Sequence, residues 1–187
     1  MRIILDLDEV LVDFVGGSLK AHGWTKEQYR EKLVKGDWGC LGQLLCNGGG
    51  AHKFWQPIHA LGAAFWENLD EHPWCDDLLA IVKETTDDWY IVSSPSHSCS
   101  SYTGKVRWLK NKFGSKFDKF ALIPHKHIFA NKDTILIDDR EESVNRFVDT
   151  GGQGIVFPNH GNSQHEWENN PLTYVRTELH MLKKVRS

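Results

Sequence analysis

The sequence predicts an α/β fold, a Rossmann-like parallel sheet flanked by helices, with a small helical cap inserted after the first strand. Short apolar runs recur along the chain, stretches with helical spacing separate most of them, and one long segment breaks this alternation. Strands that alternate with helices are typical of an open sheet with right-handed crossovers. The alternation therefore predicts the sheet, and the long segment predicts the insertion.

Five apolar runs are expected to form the sheet. Each run is short and lacks the alternation of apolar and polar residues that a half-exposed strand shows, which is typical of parallel strands buried on both faces. In chain order, the expected strands are residues 2–5, 89–92, 119–123, 134–137 and 154–157.

Apolar residues three or four positions apart predict the helices between these strands. The last stripe, on a terminal helix, can pack against a second copy of the chain as readily as against its own sheet, which leaves a homodimer open. The four stripes are Leu78, Leu79 and Val82; Val106, Leu109 and Phe113; Val144, Phe147 and Val148; and Leu172, Val175, Leu179 and Leu182.

The segment 15–73 is expected to be a helical cap over the carboxyl ends of the strands. It is too long for a simple crossover between two strands. Residues 26–34 and 54–68 have helix-compatible sequences, and we expect breaks at the glycines 48–50 and at Pro57. Residues 1–14 and 74–187 then form the α/β core.

Composition and charge narrow the class of protein. The 187 residues carry a formal net charge of −3 and imply no basic face, which argues against polynucleotide binding. No apolar stretch approaches the roughly 20 residues needed to span a bilayer. The four cysteines show no C-x-x-C spacing, and no secretory signal pattern is found. We therefore expect a cytoplasmic protein with free thiols and no polynucleotide or membrane partner.

Polar side chains directly follow three of the expected strands. Asp6 and Asp8 follow the first strand, Ser93 the second, and Asp138 and Asp139 the fourth. Because ligands of open α/β sheets bind beyond the carboxyl ends of the strands, these residues are expected to share one crevice. Carboxylates gathered there repel one another unless a hard cation such as Mg²⁺ intervenes. The alternative for any single aspartate is a helix cap or a turn.

The same residues resemble the motifs of haloacid dehalogenase-type phosphatases. The sequence D-L-D-E-V that starts at Asp6 resembles their D-x-D-x-[VT] signature. Ser93 resembles the Ser or Thr that closes their second strand, and the pair Asp138 and Asp139 resembles their acidic motif. The resemblance implies a haloacid dehalogenase-like fold and a magnesium-dependent phosphomonoesterase.

A narrower resemblance, to the 5′(3′)-deoxyribonucleotidases (cytosolic type C 5′-nucleotidases), covers nearly the whole chain. D-L-D-E-V-L-V-D-F from Asp6 is similar to that family's D-x-D-G-V-L-A-D-F, S-S-P from Ser93 to its T-S-P, and I-D-D-R from Ile137 to its I-D-D-R. Glu9 stands where the family usually has Gly, and residues 16–64 match poorly. The resemblance implies hydrolysis of nucleoside monophosphates and leaves the base and the sugar open.

The resemblance also assigns roles to the acids. Asp6 is expected to attack the phosphorus and form an aspartyl-phosphate, and Asp8 to protonate the leaving oxygen and then activate water. Asp6, the backbone carbonyl of Asp8 and Asp139 are expected to bind Mg²⁺. Asp138 is expected to orient the metal or its waters.

Hydroxyl and lysine side chains are expected to hold the phosphoryl group. Ser93 would contact a phosphoryl oxygen, and Ser94 is expected beside it as a substrate-binding residue. Two lysines compete for the neutralising role that phosphoryl transfer requires. Lys126 follows the strand at 119–123, where the family's lysine lies, and is preferred. Lys105, at the start of the preceding helix, is the second candidate.

Aromatic residues are candidates for contact with a base. Phe14 lies eight residues after Asp6, where the family packs an aromatic against the base, and Trp38, Phe65 and Trp66 are further candidates. Stacking on a base gains about 1–3 kcal/mol. The alternative for each is a place in the apolar core.

Two other functions stay open. The first is a phosphatase of the same fold that acts on another small phosphomonoester, such as a sugar phosphate. The second is a catalytically silent binding module, for which the extra carboxylate of Glu9 is the one supporting feature. A substrate panel separates the first from a nucleotidase, and an Asp6→Asn variant separates the second.

Overall fold

The computed structural model describes residues 1–46 and 48–184, so residue 47 of the expected cap and residues 185–187 of the expected core lie outside the described residues. The expected strands are all present, and their ends differ from the expected ranges by one residue at most. They are β1 (Arg2–Leu5), β2 (Trp89–Ser93), β3 (Phe120–Leu122), β4 (Thr134–Asp138) and β5 (Gln153–Val156).

The strands form one parallel sheet in the order β3-β2-β1-β4-β5. Strand β1 lies in the middle and is buried on both faces, because Ile3, Ile4 and Leu5 are at most 1% exposed. Leu5 is in register with Ile91 of β2 and with Ile137 of β4. The carboxyl ends of the three central strands therefore lie side by side, and the predicted α/β fold is confirmed.

Helices cover the sheet and connect its strands. None in the described part of the chain is long and apolar enough to cross a membrane. Two short 3₁₀ turns, Lys126–Phe129 and His165–Trp167, complete the pattern. The helices are α1 (Phe14–Ala21), α2 (Lys26–Arg30), α3 (Cys40–Cys46), α4 (Gly50–Leu61), α5 (Ala63–Glu67), α6 (Cys75–Thr85), α7 (Cys99–Phe113), α8 (Glu141–Asp149) and α9 (Pro171–Lys184).

The apolar stripes pack on the sheet with one exception. Val175 and Leu179 of α9 are buried in the main core, so that stripe packs within this chain and gives a homodimer no support. On α8, Val144 and Phe147 are buried, but Val148 is 45% exposed and lies at the edge of the stripe, beside Gly154 of β5.

The helices between residues 26 and 68 differ from the prediction. The first, α2, ends at Arg30 rather than at residue 34. Pro57 lies inside α4 and does not break it, and the break expected there lies at Gly62, whose φ is 60°. That left-handed conformation costs glycine little. Ile58, next to the proline, is completely buried in the main core, and this packing holds the helix through Pro57.

The helical segment between β1 and α6 is built in two parts. Residues of α1 to α3, among them Leu19 and Tyr29, form a small apolar cluster of their own. Helix α5 instead packs on α7 of the main core. A Cβ at Gly104 of α7 would lie 2.3 Å from the backbone oxygen of Ala63, so the two helices approach as closely as they do because position 104 is a glycine.

The two connections between the sheet and this segment run side by side. Val12 in the first connection and Glu71 in the second form an antiparallel bridge. The amide of Asp13 donates to the carbonyl of Asp70 over 2.9 Å, and further hydrogen bonds join the two stretches. The segment therefore enters and leaves the sheet at neighbouring points. We refer to the two hydrogen-bonded stretches, residues 11–13 and 70–72, as the paired linkers.

Candidate active site

Three carboxylates converge at the carboxyl ends of β1 and β4. Asp6 directly follows β1, and its amide donates to the carbonyl of Ile137 over 2.9 Å. Asp138 ends β4, and Asp139 follows it. Oxygen atoms of these three aspartates lie within 4.8 Å of one another, and all three residues are buried. The parallel pairing of β1 with β4 brings them together, as expected from the strand-end pattern.

Burial makes the charged forms of these acids unfavourable. Desolvation, followed by the charges of Asp138 and Asp6, raises the pKa of Asp139 well above its usual value. Desolvation also raises the pKa of Asp138. Three carboxylates so close together, all of them oxygen donors, fit a hard divalent cation, which would favour their ionised forms.

Lys126 lies between two of these acids. Its Nζ is 2.7 Å from Oδ1 of Asp6 and 2.6 Å from Oδ2 of Asp138, and the side chain is almost completely buried. Burial opposes the ammonium form, but the charges of Asp138 and Asp6 outweigh it and raise the pKa of Lys126 above its ordinary value. Lys126 is therefore a fixed cation beside the first strand end.

Lys105 reaches the site from α7 and has different partners. Its completely buried Nζ donates to Oδ2 of Asp8 over 2.5 Å, to Oγ of Ser93 over 2.7 Å and to the carbonyl of Ser94 over 3.2 Å. The two candidate lysines thus do not exclude each other, because the structure brings both to the strand ends. Lys105 contacts residues that follow or end β1 and β2, and Lys126 contacts residues that follow or end β1 and β4.

Asp8 does not belong to the cluster of three converging acids. Its carboxylate pairs with Lys105, while its Oδ1 is buried without a hydrogen bond among the described residues. Desolvation raises the pKa of Asp8, the charge of Lys105 lowers it, and the charge of Asp6 raises it again, with a net rise. The net rise in pKa favours the protonated form of Asp8, the form that a general acid requires.

Glu9 is a feature of the site that the sequence marked only as a departure from Gly. Its φ is 57°, the left-handed conformation that glycine adopts easily. Oε1 accepts a hydrogen bond from the amide of Val15 over 2.7 Å, and Oε2 lies 3.8 Å from Nε2 of His72. Burial raises the pKa of Glu9 to about 8. The buried carboxyl group connects the loop that carries Asp6 to the start of α1 and to the second of the paired linkers.

Two asparagines were missed by the sequence analysis. Nδ2 of Asn159 donates to Oδ2 of Asp139 over 3.0 Å. Nδ2 of Asn162 donates to the carbonyl of Asp139 over 2.9 Å and to that of Phe157 over 2.8 Å. Both lie just after β5, so the strand-end rule that selected the aspartates would also have found them if it had been applied to the fifth strand.

A cavity of about 510 Å³ lies between the helices that follow β1. Phe14 and Trp38 line it, as do Phe54 and Trp55 of α4, and we refer to it as the aromatic cavity. Trp38 is 42% exposed and so has a free face. Two of the four predicted aromatic residues therefore belong to this lining, and α4 supplies two more that the sequence analysis did not select.

Phe65 and Trp66 lie elsewhere. Both are buried in the main core and are not part of the cavity lining. Trp66 stacks on Phe14 with ring centroids 5.6 Å apart, and Nζ of Lys105 lies 5.0 Å from its ring centroid. Phe65 and Trp66 therefore pack next to two site residues, Phe14 and Lys105, rather than lining the cavity. Helix α5 buries them because it packs on α7, which periodicity within α5 alone does not predict.

Comparison with known proteins identifies what the chain is similar to. A model of the family described as 5′ nucleotidase, deoxy (pyrimidine), cytosolic type C protein matches residues 1–171. No curated protein matches the chain significantly.

Solved structures share the fold at low sequence identity. A predicted phosphatase from Clostridium acetobutylicum superposes with a TM-score of 0.57 at 15% identity, covering 95% of this chain and 97% of that one. A haloacid dehalogenase family hydrolase from Deinococcus radiodurans R1, with bound phosphate and sodium, gives 0.54 at 12% identity, covering 94% and 86%. The hydrolase YfnB from Bacillus subtilis, bound to magnesium, gives 0.51 at 15% identity, covering 82% and 84%.

Proposed function

The chain belongs to the family of 5′ nucleotidase, deoxy (pyrimidine), cytosolic type C proteins and is thus a phosphatase-type hydrolase, and on this premise we propose its reaction. The protein hydrolyses (deoxy)nucleoside monophosphates to nucleoside and phosphate. The reaction depends on magnesium and passes through an aspartyl-phosphate, the acyl phosphate formed on Asp6.

One observation carries this proposal, namely the way two buried lysines frame the nucleophile. Lys126 contacts Asp6, and Lys105 contacts Asp8 and Ser93. A phosphoryl group that approaches Asp6 enters a space with a cation on each side. Phosphoryl transfer spreads negative charge over the phosphoryl oxygens, and fixed cations in a buried site stabilise that charge.

The first step transfers the phosphoryl group to the protein. A carboxylate oxygen of Asp6 bonds to phosphorus, and the bond from phosphorus to the nucleoside oxygen breaks. Asp8 gives its proton to that oxygen, which its raised pKa supports. The hydroxyl of Ser93 and the ammonium groups of Lys105 and Lys126 hold the phosphoryl oxygens.

The second step reverses the proton transfer. The Asp8 carboxylate takes a proton from water, the water oxygen bonds to phosphorus, and the bond from phosphorus to the Asp6 oxygen breaks. The products are phosphate and free Asp6, with Asp8 protonated again. Asp8 therefore acts first as acid and then as base on the same face of the phosphoryl group.

Magnesium fits the converging carboxylates. Asp6, Asp139 and the backbone carbonyl of Asp8 would hold the ion, and Asp138, which is paired with Lys126, would orient it or its waters. When bound, the ion neutralises charge on the phosphate and on the acids. Asn159 would fix Asp139 through its hydrogen bond to Oδ2.

The nucleoside half of the substrate is assigned to the helical segment, residues 15–73, acting as a cap on a core of residues 1–14 and 74–187. Phe14 and Trp38 supply flat faces in the aromatic cavity, against which a base can stack. Phe65 and Trp66 contribute by holding Phe14 and Lys105 in place. We also propose a cytoplasmic location; a homodimer would need a surface other than the α9 stripe.

Phosphate release from a panel of substrates tests this function. The panel contains 5′- and 3′-nucleoside monophosphates and sugar phosphates, assayed with Mg²⁺ and with EDTA. Asp6→Asn is expected to lower kcat by about a thousandfold or more, because it removes the nucleophile. The matched control is Asp77→Asn, the same change at an exposed position of α6.

The outcomes separate the alternatives. Magnesium-dependent turnover of nucleotides that is lost in Asp6→Asn and kept in Asp77→Asn supports the proposal. Turnover of sugar phosphates alone keeps the chemistry and rejects the nucleotide. A folded, magnesium-loaded protein that hydrolyses nothing in the panel contradicts the proposal.

A further inference from the structure

A second pocket, of about 390 Å³, borders the catalytic centre. Ser94 and Lys126 belong to its lining, so it adjoins the place where the phosphoryl group is held. It shares no lining residue with the aromatic cavity. The reaction proposed above assigns this space to neither the base nor the transferred phosphoryl group.

Four further residues of the lining have basic side chains. His97 comes from the loop after β2, His127 from the 3₁₀ turn after β3, and Arg140 and Arg146 from the start and the body of α8. We call the space lined by these four residues the basic pocket. Glu142 is the acidic residue of the lining.

The guanidinium groups of the basic pocket are poorly neutralised. Arg140 reaches Glu142 only over 3.4 Å at an exposed position. The side chain of Arg146 makes no ion pair or hydrogen bond within residues 1–46 and 48–184. Desolvation, followed by the charges of Arg146 and His125, lowers the pKa of His127. A positive potential therefore acts on the pocket, with no fixed anion at Arg146 to balance it.

The shape and chemistry of the pocket indicate its ligand. A guanidinium presents paired N–H donors that match the oxygens of a phosphate, and such bonds are stronger than neutral ones. The volume lies near the lower end of the roughly 300–1,000 Å³ typical of small-molecule sites, which is enough for a phosphate with part of the group that bears it. Lys105 and Lys126 already contact the catalytic acids, whereas Arg146 of the pocket lining has no ion pair among the described residues and is available to another anion.

We infer that the basic pocket binds a second phosphate group beside the one that is hydrolysed. Two sources have this chemistry: a second phosphate carried by the substrate, as in a nucleoside 3′,5′-bisphosphate, and free inorganic phosphate. The first source rests on the proposed function, whereas the binding of phosphate does not.

Binding is tested with inorganic phosphate alone. Phosphate is titrated into the protein at constant pH and ionic strength, and the ring signals of His127 are followed by ¹H–¹⁵N NMR. We expect a saturable change whose midpoint rises about tenfold in Arg146→Gln, equivalent to about 1.4 kcal/mol. The control, Arg176→Gln, removes the same charge from an exposed position of α9, where it pairs with Glu84, and is expected to keep the wild-type midpoint.

Kinetics distinguish the two sources. If the second phosphate belongs to the substrate, Arg146→Gln raises KM for a nucleoside 3′,5′-bisphosphate about tenfold more than KM for the monophosphate. If it is free phosphate, inhibition by phosphate is mixed in the wild type and becomes competitive in the variant. Either result supports the inference.

The inference is overturned if His127 does not respond to phosphate, or if both arginine variants keep the wild-type midpoint, because phosphate then binds at the catalytic centre only or not at all. The NMR experiment needs no turnover. A failure of the proposed nucleotidase activity would therefore be recognised separately from a failure of the basic pocket.

Discussion

Ionisation of Glu9 makes the free energy of unfolding depend on pH, and the Glu9→Gln substitution isolates this contribution. The carboxyl group of Glu9 is 5% exposed, and burial raises its pKa from 4.5 to about 8. Between these pH values, the folded protein holds a proton that the unfolded chain has released. Protons held only by the folded state make the free energy of unfolding fall as the pH rises, by about 1.4 kcal/mol per pH unit for one group.

Glu9→Gln removes this proton while it keeps an oxygen that accepts the hydrogen bond from Val15. The variant therefore gains stability relative to the wild type as the pH rises from 4.5 to about 8, by about 5 kcal/mol in all. Between pH 5.5 and 7.5, the expected gain is about 2.7 kcal/mol. His72 titrates in both proteins, so its contribution cancels if its surroundings are unchanged.

The measurement is urea unfolding in EDTA at pH 5.5, 6.5 and 7.5, followed by the fluorescence of the eight tryptophans. EDTA keeps divalent cations from binding the neighbouring acids during the comparison. Glu31→Gln, which removes the same charge from an exposed position, is the control and should not reproduce the pH-dependent gain. A difference between Glu9→Gln and wild type that stays constant over these pH values would refute the argument from burial.

Three further predictions concern other contacts of the site and the fold. Lys105→Met leaves Asp8 without its cation and should lower kcat by at least about a hundredfold in the phosphate-release assay; activity near that of the wild type would show that Lys126 alone neutralises the phosphate. Asn159→Ala frees the carboxylate of Asp139 and should weaken Mg²⁺ binding by about 10–100-fold in calorimetry; an unchanged affinity would show that Asn159 does not position Asp139 for the metal. Gly104→Ala places a methyl group 2.3 Å from a backbone oxygen of α5 and should lower the free energy of unfolding by about 1–3 kcal/mol; an unaltered urea midpoint would mean that α5 moves aside freely.

The strand ends were predictable because one rule covers them. Apolar runs end at Asp6, Ser93 and Asp138, and parallel pairing places such ends at one edge of a sheet whatever the rest of the chain does. The sequence analysis preferred Lys126 to Lys105 and could not predict that both reach the strand ends, because one lies on a helix and the other in a turn. Tertiary packing brings both to the edge.

The cap was predicted less well because local patterns compete there with packing. Pro57 was predicted to break the helix, but α4 continues through it because Ile58 packs in the core. The helix ends instead at Gly62. Phe65 and Trp66 were predicted to line the substrate pocket, but the close contact of α5 with α7 buries them. The φ of Glu9 could not be predicted either, since a glutamate in that conformation costs energy that only the finished contacts offset.

The paired linkers make the length of the helical segment between them nearly independent of the sheet. Since the segment leaves where it entered, as the hydrogen bond between Asp13 and Asp70 shows, its two ends are already joined in space and the sheet places little demand on its length. Lengthening a loop closed in this way is inexpensive, at about 0.6 kcal/mol for each doubling. Mutation and insertion can therefore remodel the helical segment, and with it the residues proposed to meet the nucleoside, while the strand ends keep their register.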